Sequence, residues 1–163
     1  MAQYADFDFY QNVYFGDVLT GDNANRWLTR ASDELDVVTF GRLTFAFPTV
    51  EAHAEKVKKA VCAIAETLFN IDVQRKAVAA HQTEDGDYRG AIASISSGKE
   101  SMSFSVNGTA ASVYAAAASD EAKRNALITE TAFRYLANIP DAHGVNLLYA
   151  GGGCHVCRDG YFV

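Results

Sequence analysis

Apolar residues recur at Val50, Ala54, Val57, Val61, Ile64, Leu68 and Ile71. This alternation of four and three holds one face of an α-helix against other helices. Pro48 and Thr49 open the helix, with Thr49 the expected cap and Glu51 in the first turn, where the helix dipole favours an acid. "VQRKAVAAHQ" can carry it to about residue 80. The same spacing at Ala24, Leu28, Ala31, Leu35 and Val38, with Trp27 alongside, predicts an earlier helix. Asp22 is its expected N-cap, and it ends near Thr39, before Gly41. A third stripe, Ala122, Ala126, Thr129, Phe133 and Leu136, predicts a last helix. Ser112 or Ser119 caps it, and Asn138 and Pro140 end it.

The pattern changes between these helices and around them. Tyr4, Phe7, Phe9, Tyr10, Tyr14 and Phe15 crowd the start of the chain, and Phe7, Tyr10 and Tyr14 share a helical face. A short helix ended by Gly16, acting as a lid on one end of a bundle, accounts for them. Phe45 and Phe47 lie in the link that follows Gly41. After a turn cluster, "TEDGDYRG", the stretch "AIASISSGKESMSFSVNG" alternates apolar and polar residues. It predicts a β-hairpin at about 91–107, turning at Ser97, Gly98 and Lys99. From Asp141 to Val163 no helical period survives. The expected architecture is therefore mainly α: an antiparallel helical bundle over 1–140 with a small β-hairpin insert, and an extended C-terminal arm over 141–163.

At 163 residues, 49% of them hydrophobic, the chain has enough apolar material for one core, and disorder throughout is excluded. No apolar run approaches the roughly 20 residues that span a bilayer, and no secretory signal is visible. A cytoplasmic compartment without membrane contact is expected. The net charge of −6 argues against a nucleic-acid wrapper, which needs a basic face. It suits either plain solubility or a wall past which DNA moves without sticking.

Candidate chemistry is thin. Three cysteines in a chain with no visible signal peptide argue against a disulfide framework, and Cys62, beside the apolar stripe, reads as a buried small hydrophobe. Cys154 and Cys157 in "CHVC" can form half a zinc site or a dithiol pair. This supports the alternative of a small cytosolic redox or metal-binding protein. The three glycines 151, 152 and 153 are followed by neither Lys-Ser/Thr nor a helix, so they form a hinge and not a phosphate loop. Asp33, Glu34 and Asp36 form a charge run expected on a wet helix face. Nothing assembles a catalytic site, and no cofactor is implied.

Four stretches in order, "FDFYQNVYFG", "RASDELDVVTFGRL", "KVKKAVCAIAETL" and "FRYLANI" followed by "GVNLLYAGG", with the serine-rich "SISSGKESMSFS" before the last, resemble the head–tail connector (adaptor) proteins of long-tailed phages and prophages. The resemblance runs from about Tyr4 to Tyr149 and does not include "CHVCRDGYFV". It implies a non-enzymatic virion protein of the neck, assembled in the host cytoplasm as a dodecameric ring below the portal. It also implies portal protein, neighbouring copies and a tail or stopper protein as partners, and genomic DNA passing without sequence readout. On this view Leu147, Leu148, Tyr149, Tyr161, Phe162 and Val163 form a partner-binding arm that is mobile in the free subunit. Acids among Asp33, Glu34, Asp36, Glu84, Asp85 and Asp87 face the channel. In isolation the protein is expected to be a monomer or a weak oligomer.

Overall fold

The computed structural model describes residues 3–76 and 112–150 with their side chains, and 77–78, 81–82, 88–89, 94–97 and 100–103 as backbone. It is mainly helical. In chain order the helices are α1 (Phe7–Asn12), α2 (Gly21–Val38), α3 (Arg42–Phe45), α4 (Glu51–Val78), α5 (Val113–Ser119) and α6 (Glu121–Leu136). Between α4 and α5, β1 (His81–Gln82) pairs antiparallel with β2 (Tyr88–Arg89), and β3 (Ser94–Ser97) with β4 (Glu100–Ser103), Ser97 opposite Glu100.

The long helix α4 is the hub, in contact with α1, α2, α5 and α6. From Val57 onward its predicted stripe is buried: Val57, Val61, Ile64, Leu68 and Ile71. Val50, just before the helix, is exposed. Its carbonyl accepts from His53 N and Ala54 N, so it begins the helix as a backbone anchor and not as a core residue. In mid-helix the burial goes all round, through Ala60, Val61, Cys62, Ala63, Ile64 and Ala65. Four of these six side chains are small, which lets neighbouring helices approach every side.

The stripe of α2 is also buried as predicted through Ala24, Trp27, Leu28, Ala31 and Leu35. Its N-cap is Thr20 and not Asp22, with Asn23 Oδ1 accepting from Thr20 N at 3.1 Å. Asp22 instead occupies the first turn, where its charge meets the helix dipole.

The last helical region departs from expectation in two ways. It is two helices, because both polar caps fire. Ser112 Oγ accepts from Tyr114 N, and Asp120 Oδ1 accepts from Ala122 N and Lys123 N. Ser119 does not cap; its hydroxyl donates back to Ala115 O and Ala116 O. The inward face of α6 is also rotated from the predicted stripe. Ile128 and Ala132 are buried, with Ile139 beyond the helix; of the predicted stripe Leu136 is buried, whereas Ala122, Ala126, Thr129 and Phe133 face out.

The aromatic N-terminus straps the α2–α4 pair and does not plug the bundle end. Tyr10 is fully buried. Its hydroxyl donates to Glu66 Oε1 at 2.8 Å and accepts from Val18 N and Leu19 N, both at 3.0 Å. Tyr14 OH bonds the other Glu66 oxygen, and Tyr4 OH donates to Asp36 at 2.7 Å while its ring stacks on Phe47. Gly16 N bonds Tyr10 O, and a Cβ on Gly16 would lie 2.1 Å from the Tyr10 ring, so only glycine fits there.

The segment 141–149, expected to begin a free arm, is folded onto the bundle. Asp141 Oδ1 accepts from His143 N and Val145 N, Leu147 N donates to Ile139 O, and Ala142 N donates to Ala46 O. Leu147 is fully buried in the core and Leu148 is half-buried against it. One leucine with a local hydrogen-bond frame needs no helical period to pack, and that is why the period misled. Any free arm therefore starts after Tyr149.

Candidate interaction surface

The ends of α2 and α6 and the start of α4 come together at one end of the molecule, linked by α3 and the 139–149 segment. Large apolar side chains stay in solvent there. Phe45 is 88% exposed, Phe40 61%, Tyr149 60% and Phe133 51%. Val37 and Val50 add to them. Arg42, between Phe40 and Phe45 in the chain, bonds Tyr149 O, which brings these exposed side chains to one region; a cluster of exposed apolar side chains suits a contact surface, whereas single exposed residues need no explanation.

The local backbone explains how these side chains are held outward. Phe40 has φ 55°, a left-handed conformation that is unusual for a bulky residue, and Gly41 follows at φ 73°. Phe40 N donates to Val37 O, and Gly41 N donates to Asp36 O at 2.7 Å, closing α2. The Phe45 ring lies over Gly41. Arg42 then ties this corner to the C-terminal segment. Its Nε donates to Tyr149 O at 3.1 Å and its guanidinium lies 3.7 Å from the buried carboxylate of Asp141. Beside it, Phe133, Ala137, Leu148 and Tyr149, with Asn138 and Asn146, line a groove of about 330 Å³.

Of the residues read as a partner-binding arm, Leu147 is therefore corrected to a core residue, because it is sealed inside its own subunit. Leu148 and Tyr149 line an exposed groove and are packed with the helices. Tyr161, Phe162 and Val163 lie outside the described residues, as do Cys154 and Cys157. The main contributors to the surface, Phe40, Phe45 and Phe133, escaped the sequence reading as site residues. A phenylalanine directly before a glycine at a helix end was the available signal.

The acids read as channel-facing are not a freely solvated run. Asp33, Glu34 and Asp36 are all half-buried. Glu34 pairs with Arg124, which also bonds Glu121, and Asp36 accepts from Tyr4. Asp33 and Glu34 line a cleft of about 290 Å³ with Trp27, Arg30, Asp72 and Arg75. Glu84, Asp85 and Asp87 lie outside the described residues.

Four buried or half-buried groups are shifted far from their ordinary ranges. Desolvation, with the bonds to Asp36 and Glu66 adding, pushes the phenols of Tyr4 and Tyr10 up to about 12. Burial and the Glu66 charge push Tyr14 up as well. The Cys62 thiol rises to about 12 by burial, with Glu66 adding, so it stays protonated and a poor nucleophile. The bonds of the three phenols to Asp36 and Glu66 hold the strap down.

Comparison with protein-family models, with curated proteins and with solved structures gives no match. Among the described residues, no helix is long and apolar enough to cross a membrane.

Proposed function

We propose that this chain is a head–tail connector of a long-tailed phage: a virion structural subunit that forms a ring below the portal, extends the DNA conduit and docks a tail or stopper protein. Its fold on this reading is an antiparallel bundle with a β-hairpin insert at about 91–107. The sequence resemblance supplies the identity. The observation that carries it on the molecule is the apolar end built from Phe40, Phe45, Phe133 and Tyr149, an exposed surface suited to contact with other proteins. Each subunit needs only a modest contact, because many copies engage one ring at once and avidity multiplies them. Portal protein and neighbouring copies are the first partners, and DNA passes an acidic wall without sequence readout. The work is assembly, not catalysis.

The test is co-sedimentation with DNA-filled, portal-bearing heads. The wild-type protein should pellet with heads. Phe45→Glu, which places a charge on the most exposed aromatic among the described residues, should stay in the supernatant while keeping its helical circular dichroism. Equal pelleting of both would remove the apolar end from the docking role.

A further inference from the structure

We propose that the N-terminal strap is a releasable cover. Residues 3–14 lift off α4 as a unit, pivoting at Phe15 and Gly16, while α2, α4 and α6 stay packed, and this uncovers Cys62 and the Glu66 carboxylate. The strap lies along one row of α4. Lys58, Cys62 and Glu66 are spaced by four, so they share a face of the helix. The Lys58 ammonium sits 5.3 Å from the centre of the Phe9 ring. Glu66 Oε1 accepts from Tyr10 OH at 2.8 Å, and Oε2 from Tyr14 OH at 3.3 Å. Cys62, between these two anchor points, is fully buried and within electrostatic reach of Asp6 in the strap.

The grip of the strap is narrow. Among residues 3–14 only Ala5 and Tyr10 are buried, and α1 touches α2 and α4 far less than those helices touch each other. Both phenol bonds to α4 end on one carboxylate, so a single side chain holds them. The turn that brings the strap back is also strained. Phe15 has φ 59° with its ring 80% exposed, and Gly16 sits too close to the Tyr10 ring for any Cβ. This geometry is needed only while Tyr10 is seated. Gly16 N then donates to Tyr10 O at 3.0 Å, and Tyr10 OH accepts from Val18 N and Leu19 N. Lifting relieves Phe15 and returns these amides to water. A segment with few buried contacts, closed against backbone strain, belongs to the least stable of the units that open separately in a folded protein. The release is a property of the free chain and does not depend on the connector reading.

Thiol labelling of the full chain tests this, with Cys154 and Cys157 changed to serine so that Cys62 is the one thiol left. Iodoacetamide labelling is followed by mass spectrometry across a urea series below the unfolding transition. Cys62 should label about tenfold or more faster than global unfolding, measured by circular dichroism, allows. The rate should also be nearly flat in urea, because a local opening exposes little surface. Glu66→Gln and, independently, Tyr14→Phe should each speed labelling by about fivefold or more, the worth of one hydrogen bond, with the flat profile kept. Tyr14→Phe leaves the Glu66 charge in place, so altered thiol reactivity does not account for its effect. Phe15→Asn, which tolerates the left-handed region, should slow labelling, because the closed turn is no longer strained. Circular dichroism identifies any variant that fails to fold, and the other then decides. Labelling that follows global unfolding at every urea concentration overturns the proposal, as does one rate shared by wild type, Glu66→Gln and Tyr14→Phe. Faster labelling in Phe15→Asn overturns the pivot.

Discussion

Phe40, like Phe15 at φ 59°, carries a clear local backbone cost. A bulky side chain at φ 55° is strained by about 1–3 kcal/mol, and its exposed ring recovers little of that within the subunit. Phe40→Asn, which tolerates the left-handed region, should raise the unfolding free energy by about 1 kcal/mol in a denaturant titration. A destabilised Asn variant would mean that the ring supports the fold. Tyr10 lies at the opposite extreme. Removing its hydroxyl leaves Val18 N, Leu19 N and the Glu66 carboxylate short of a partner, so Tyr10→Phe should cost about 2 kcal/mol or more. The same phenols set a pH limit. Tyr4 and Tyr10 titrate near 12 in the fold against 10 in an open chain, so their contribution is complete below pH 10 and is lost as pH rises through about 12. Tyrosinate absorbance should lag an unfolded control across that window, with circular dichroism lost alongside. Tyrosines that all ionise near 10 with the fold intact would contradict the strap's bonding.

At the scale of elements, legibility followed how far one stripe outweighs the rest in volume. In α2 the stripe with Leu28, Leu35 and Trp27 packs, and in α4 Val57, Val61, Ile64, Leu68 and Ile71 carry most of the buried volume even where small residues bury the other faces. In α6 two faces compete. Ala122, Ala126, Thr129 and Phe133 keep the spacing but are small or solvent-facing, while Leu127, Ile128, Ala132 and Tyr135 win by volume, and of the predicted stripe Leu136 is the member that packs. Spacing alone cannot rank two faces of similar period; the buried area can. The starts of α2, α4 and α6 were legible to within two residues, whereas α3 was read as a link and the break at Asp120 was hidden by the alanine run before it. The groove at the end of α6 needed tertiary contacts between segments far apart in sequence, which no local pattern reports. A paired substitution checks the α6 face directly. Ile128→Ala should cost about 2–5 kcal/mol and Phe133→Ala no more than about 0.5 kcal/mol in chemical denaturation. The reverse order would restore the stripe read from the sequence.

At the scale of the whole molecule the account joins a rigid helical hub, a strapped N-terminus and one apolar end. Its net charge of −6 and the absence of any Lys/Arg cluster larger than Lys56, Lys58 and Lys59 set the expectation for DNA. Fluorescence anisotropy should show no duplex binding at physiological salt, and submicromolar affinity would refute a passive conduit wall. The central claim is that this subunit sits in the phage neck and docks by its apolar end. Electron microscopy of portal-bearing, DNA-filled heads incubated with the protein tests that most directly. The account predicts a ring of added density directly below the portal, lost with Phe45→Glu. Heads that gain no density there, or that carry the protein elsewhere on the particle, would contradict it.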